Sequence, residues 1–181
     1  MPNFRQRLTR TQRRTYDRSN AISVIRLRAS PRLRAAVAAL PRLLAAADRP
    51  RVQAAAQAIA DEITGALGVG RLRVTVNGTR PSNARGELHG LYTAGSGRPT
   101  TITLWMITAK RGRVVAFKTF LRTLLHEICH HLDYSYLNLP DSLHTDGFYQ
   151  RESSLFHQIG GNAAAAPAAD PSSIGEQPAL G

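Results

Sequence analysis

Apolar residues recur at helical spacing in the second half of the chain. Phe117, Leu121, Leu124, Leu125, Ile128 and Leu132 fall at steps of four, three, one, three and four, which puts them on one stripe of a helix. Asn138-Leu139-Pro140-Asp141 ends that helix, and a last helix is expected from about 145 to 159, burying Phe148, Leu155, Phe156 and Ile159. Upstream the period changes to two. Leu72, Val74 and Val76 alternate with Arg73 and Thr75, the pattern of a half-buried strand, with Asn77-Gly78 as its turn. Glu87 to Tyr92 reads as a second short strand and Gly95-Ser96-Gly97 as a loop. TITLWMIT (101–108) reads as a third strand, with Ile102, Leu104 and Met106 on one side and Thr101, Thr103, Trp105 and Ile107 on the other. Three strands between Gly-rich turns suggest a small, mainly antiparallel sheet. Two helices precede it. One spans 31–47 and is expected to break or kink at Pro41. The other spans RVQAAAQAIADEITGALG, with Val52, Ile59, Ile63 and Leu67 near one face and Gly68 and Gly70 ending it. The expected class is α+β, a small sheet packed on the 117–132 helix.

Charge divides the chain differently. Residues 1–50 hold twelve Arg, no Lys and two acids, a net +10, whereas 111–160 balances five bases against five acids. The expected organisation is a basic, partly helical N-terminal arm (1–50), a folded domain (51–160) and an Ala/Pro/Gly/Ser-rich disordered tail (161–181). An arm of that charge can neutralise phosphates, so nucleic acid is a candidate partner. The competing explanation is a compositional preference for Arg, which outnumbers Lys 22 to 2. No apolar run approaches the ~18 residues that span a bilayer, and no apolar segment follows the basic N-terminus. A cytoplasmic protein without a membrane partner is expected. One cysteine, Cys129, excludes an internal disulfide and any Cys-based zinc module.

The chemistry concentrates in one stretch, HEICHHLDYSYLNLPDSLHTDGF (126–148), with four of the six histidines. It opens with His126-Glu127-Ile128-Cys129-His130, an H-E-x-x-H pattern. Residues four apart share a helix face, so His126 and His130 can meet one ion. They lie beside the apolar stripe, at the edge of the core. Glu127 can reach a water at that ion without binding the ion, as the general base of a hydrolase does. The bland alternative is a helix with two exposed histidines and a surface glutamate. A catalytic zinc needs a third protein ligand. His144 and Glu152, both beyond the helix break, are candidates. Asp133 shares the His130 face and suits support of an imidazole N–H better than ligation. His131 points about 100° from His130, toward solvent or a supporting role. Cys129 is expected to pack in the core, and His89 and His157 to be ordinary surface or half-buried residues. Trp105 is expected to pack rather than line the cleft. Tyr134 and Tyr149 are candidate donors to a tetrahedral oxyanion.

The order helix, three short strands, H-E-x-x-H helix, break, His, helix resembles the SprT-like zinc metallopeptidases, the family that includes Spartan. The resemblance covers roughly residues 51–159. In that family the third ligand is a His about a dozen residues after the second, with an aromatic residue soon after it. His144-Thr145-Asp146-Gly147-Phe148 matches. Two features depart from the pattern: Thr145 stands where Gly commonly follows the third His, and one cysteine cannot build the Cys-rich ribbon of many bacterial members. The resemblance implies Zn²⁺ on His126, His130 and His144, Glu127 as general base and acid, and a polypeptide substrate; contact with nucleic acid rests on the charge of the arm. Two rivals remain open at this point: a catalytically idle nucleic-acid-binding module, and a regulatory peptidase that cleaves one repressor.

Overall fold

The computed structural model of the protein describes residues 4–84, 86–94 and 99–162. After a 3₁₀ turn at Phe4–Arg7 come α1 (Arg10–Ala21), α2 (Pro31–Ala45) and α3 (Arg49–Ala66). Then follow β1 (Arg73–Thr79), β2 (Ser82–Asn83), β3 (Gly86–Glu87), β4 (Gly90–Thr93) and β5 (Thr101–Ile107), and finally α4 (Phe117–Ser135) and α5 (Asp146–Gln158). The fold is α+β. The apolar stripe of α4 lies where its period puts it: Leu121, Leu124, Leu125, Ile128 and Leu132 are fully buried, with Phe117 packed at the margin. At the end of the chain α5 buries Phe148, Leu155 and Phe156, with Ile159 buried just after it.

The sheet corrects the expected topology. Its order is β1-β5-β4; β5 pairs with β4 antiparallel but with β1 in parallel, so the sheet is mixed. The reason lies at Asn77-Gly78. A tight hairpin there needs positive φ at the turn residues, and neither has it. The strand instead continues to Thr79 and pairs along its length with β5. The expected second strand is split into β3 and β4, with β3 paired to β2 in a separate two-stranded ribbon. The outer edge of β1 is closed by α3. Gln57 Oε1 accepts from the Val74 N–H at 2.7 Å and Gln53 Oε1 from the Val76 N–H at 2.9 Å, while Gln57 Nε2 donates to the Leu72 carbonyl at 2.9 Å. Two glutamine side chains thus stand in for a neighbouring strand and protect the edge from pairing with another chain.

Pro41 does not break α2. The helix runs unbroken from Pro31 to Ala45. Proline removes one helical N–H, but Leu33, Val37, Leu40 and Leu44 bury one face of α2 in the core and hold it across the gap. These residues, with Ile25 and Leu27, belong to the same apolar cluster as α4 and the sheet. The segment 1–50 therefore supplies core as well as charge. Among the described residues no helix is long and apolar enough to cross a membrane. The Gly95–Gly97 loop and residues 163–181 of the expected tail lie outside the described residues; Gly161 is buried against Phe156.

Candidate metal centre

Two helices and the connection between them build the site. His126 and His130 project from one face of α4, and Glu127 lies next to them. His144 sits at the end of the connection, held by the start of α5: Thr145 caps that helix by accepting from the Phe148 N–H at 3.1 Å. Asn138, with φ of 51°, lets the chain turn back after α4. The three histidines come together at their Nε2 atoms. His144 Nε2 is 3.0 Å from His126 Nε2 and 3.1 Å from His130 Nε2. Three ligand-capable nitrogens, one from each ring, all lie within 4.8 Å of one another.

The surrounding hydrogen bonds assign the tautomers. His126 Nδ1 faces Glu152 Oε2 at 3.2 Å; a carboxylate oxygen only accepts, so Nδ1 carries the proton. Ser142 Oγ donates to Asp133 Oδ2 at 2.8 Å, which uses its only proton, and it therefore accepts from the His130 Nδ1–H at 2.7 Å. Both rings thus present bare Nε2 lone pairs toward the third. Lone pairs converging at that distance repel unless a cation or a proton lies among them. Nitrogens bound to one tetrahedral zinc would lie about 3.3 Å apart, close to the two distances from His144, while all three nitrogens lie within 4.8 Å of one another. His130 is held neutral, its pKa pushed down to about 4 by burial and then by His126 and His144. Burial and the neighbouring His126 lower that of His144 as well. Neutral imidazoles are the form that ligates.

The support continues inward. Asp133 is fully buried and paired with Arg151 Nη2 at 2.8 Å, and Arg151 is itself fully buried. Arg151 also donates to the Ser19 carbonyl at 2.7 Å, to Ser19 Oγ at 3.0 Å and to the Ile22 carbonyl, capping the end of α1. An unbroken chain of contacts therefore links His130 through Ser142, Asp133 and Arg151 to α1. Gly147 allows the close approach of α1; a Cβ there would lie 2.5 Å from the Ser19 carbonyl oxygen. Asp133 supports His130 through Ser142 rather than directly.

Glu127 is buried, and burial raises its carboxyl pKa against the opposing effects of His126 and the Tyr92 N–H. Gly90 lets β4 pass over it; a Cβ at that position would meet Glu127 Oε1 at 2.5 Å. Tyr92 stacks at 6.2 Å on His130 and at 6.0 Å on Tyr134. His131, expected near solvent or in support, is buried and ties the sheet to α4: its Nε2 lies 2.7 Å from the Gly70 carbonyl and its Nδ1 3.4 Å from the Tyr92 hydroxyl. Cys129 is fully buried, and burial raises its thiol pKa. His89 and His157 are exposed, and Trp105 is half-buried on β5, away from the clefts at the triad. Tyr149 stacks on His144 at 5.9 Å, while Tyr134 lines the cleft with the triad.

No protein-family model, curated protein or solved structure matches this chain. Sequence patterns led to His126, Glu127, His130, His144 and Glu152, which the fold gathers in one place. They did not lead to Ser142, Arg151, Gly90 or Tyr92, whose roles depend on which loop and strand fold over α4.

Proposed function

We propose that the protein is a zinc-dependent peptidase of the SprT-like kind, with the ion held by His126, His130 and His144. The observation that supports this most is the convergence of three Nε2 atoms, two of them fixed in the ligating tautomer, beside a buried carboxylate on the same helix. Zinc in such a site supplies Lewis acidity: it makes water acidic near neutral pH and polarises a carbonyl. The rest of the chemistry falls to the chain. Glu127 takes a proton from the attacking water and returns it to the leaving amine. Glu152 and the Ser142–Asp133 pair keep the Nδ1 protons of His126 and His130 in place. Glu152 reaches the site through the His126 ring, which argues for His144 as the third ligand. Tyr134 and Tyr149 border the site as donors to the developing oxyanion.

The test is hydrolysis of an unfolded polypeptide by the purified protein. Cleavage should stop when a chelator removes the metal and return on addition of zinc; cleavage that survives metal removal would refute the reading.

The supporting chain has its own signature. Ser142→Ala should lower zinc affinity by about 10–100-fold, read by competition with a chromogenic chelator. Ser142→Thr, which keeps the hydroxyl, should stay near the parent value. Equal affinities for parent and Ser142→Ala would show that Ser142 does not support His130.

A further inference from the structure

Two clefts meet at the triad. One, of about 420 Å³, is lined by His89, Lys118, Thr119, Arg122, Thr123 and Glu152; the other, of about 390 Å³, is lined by Leu91, Tyr92, His130, Tyr134, Ser142 and His144. Gly90, His126 and Glu127 line both, so the clefts form one groove across the site.

The halves differ in chemistry. Lys118, Arg122, His126 and His130 follow one another at steps of four along α4 and share a face. Two cations thus extend the row of histidines toward the start of the helix, about 6 and 12 Å along its axis from His126. Arg122 is held in place, its guanidinium 4.3 Å above the Phe156 ring and its Nη1 3.4 Å from Glu152 Oε1. Lys118 is exposed, and its ammonium has no partner among the described residues. The acids facing these cations are already committed. Glu152 uses one oxygen for His126 and the other for Arg122. Glu127 lies at the junction of the clefts, against Gly90. His89, exposed at the rim of this half, adds a ring N–H. Thr119 and Thr123 add hydroxyls. The other half exposes Leu91 and the ring of Tyr134, which is stacked on Tyr92.

Building on the peptidase reading, we infer that the Lys118–Arg122 half of the groove is a subsite for an acidic side chain of the polypeptide substrate, while the Leu91–Tyr134 half takes an apolar one. An extended chain advances about 3.3 Å per residue. The acidic residue therefore lies about two to four positions from the cleaved bond. Exposed ion pairs contribute modestly, so the preference for Asp or Glu over Asn or Gln should be about fivefold at low ionic strength. It should fade as salt is added.

The experiment has two arms with the full, zinc-loaded chain. In the first, a peptide library is digested and the cut sites are read by mass spectrometry. Asp and Glu should be enriched on one side of the cut, and Lys118→Glu should remove or reverse that enrichment. In the second, Glu127→Gln protein is titrated with a fluorescent acidic peptide and with its amide counterpart. The acidic peptide should bind about fivefold more tightly, and the additional Lys118→Glu substitution should abolish the difference. Cleavage without acidic enrichment would overturn the subsite and leave the peptidase reading intact. Lys118-dependent binding of the acidic peptide without any cleavage would uphold the subsite and sink the hydrolytic reading. If a single-stranded oligonucleotide binds in a Lys118-dependent way while acidic and amide peptides bind alike, the ligand is a phosphate and the inference fails.

Discussion

Glu127→Gln is expected to slow peptide hydrolysis by about 10²–10⁴-fold, the range for loss of a positioned general base, without releasing the metal. The carboxylate stands beside the triad but is not among the three converging nitrogens. An amide of the same shape can still accept from the Tyr92 N–H, yet it cannot take a proton from water. The substitution should not harm the fold, because burial already disfavours the charged form of Glu127. Steady-state kcat/KM and metal content, measured on one preparation, check both halves. Loss of zinc by the variant would mean that Glu127 holds the ion; an unchanged rate would mean that another group handles the proton.

Arg151→Met is expected to destabilise the protein by about 3–5 kcal/mol, the usual consequence of leaving one member of a buried ion pair alone. For a chain of this size that lowers Tm by roughly 10 °C. Asp133 would be left fully buried with only the Ser142 hydroxyl, the Ile22 carbonyl would lose its Arg151 donor, and the Ser19 carbonyl would keep only the Ile22 N–H. Adding Asp133→Leu should recover part of the loss, since an apolar pair of similar volume can replace a buried ion pair, although the Ser142 hydroxyl then loses its acceptor. Thermal unfolding of the parent, the single variants and the double variant forms the cycle. A loss below about 1 kcal/mol in Arg151→Met would place that guanidinium in water rather than in the core.

Local periodicity made much of this legible in the sequence, and long-range placement did not. The stripe of α4 and the i, i+4 spacing of His126 and His130 are properties of one helix, and they appear where the pattern puts them. His144 could be named because a helix break followed by Phe148 tells where the chain returns; its choice over Glu152 came from resemblance, and the geometry supplies an independent reason. The sheet was misjudged because Asn-Gly signals a hairpin only if the backbone adopts positive φ there, and pairing with β5 kept it extended. Of the break or kink expected at Pro41, the break is absent, because the local penalty of proline is smaller than the burial of four apolar residues of α2. Asp133, read as a direct partner of an imidazole, acts through Ser142, which lies in an irregular connection that no period describes. Residues 1–50 carry core positions among their charges. Ile25 and Leu27 alternate with arginines, and Leu33, Val37, Leu40 and Leu44 follow at helical steps of four, three and four; all six lie in the core.

Whether three imidazoles hold one divalent ion is read most directly by a zinc titration against a competing chelator. One tight zinc per chain is expected, lost in His144→Ala, and retained in Glu152→Ala with affinity lowered by about 10–100-fold. A parent protein that takes up no zinc, or a His144→Ala variant that keeps it while Glu152→Ala releases it, would contradict a three-histidine site.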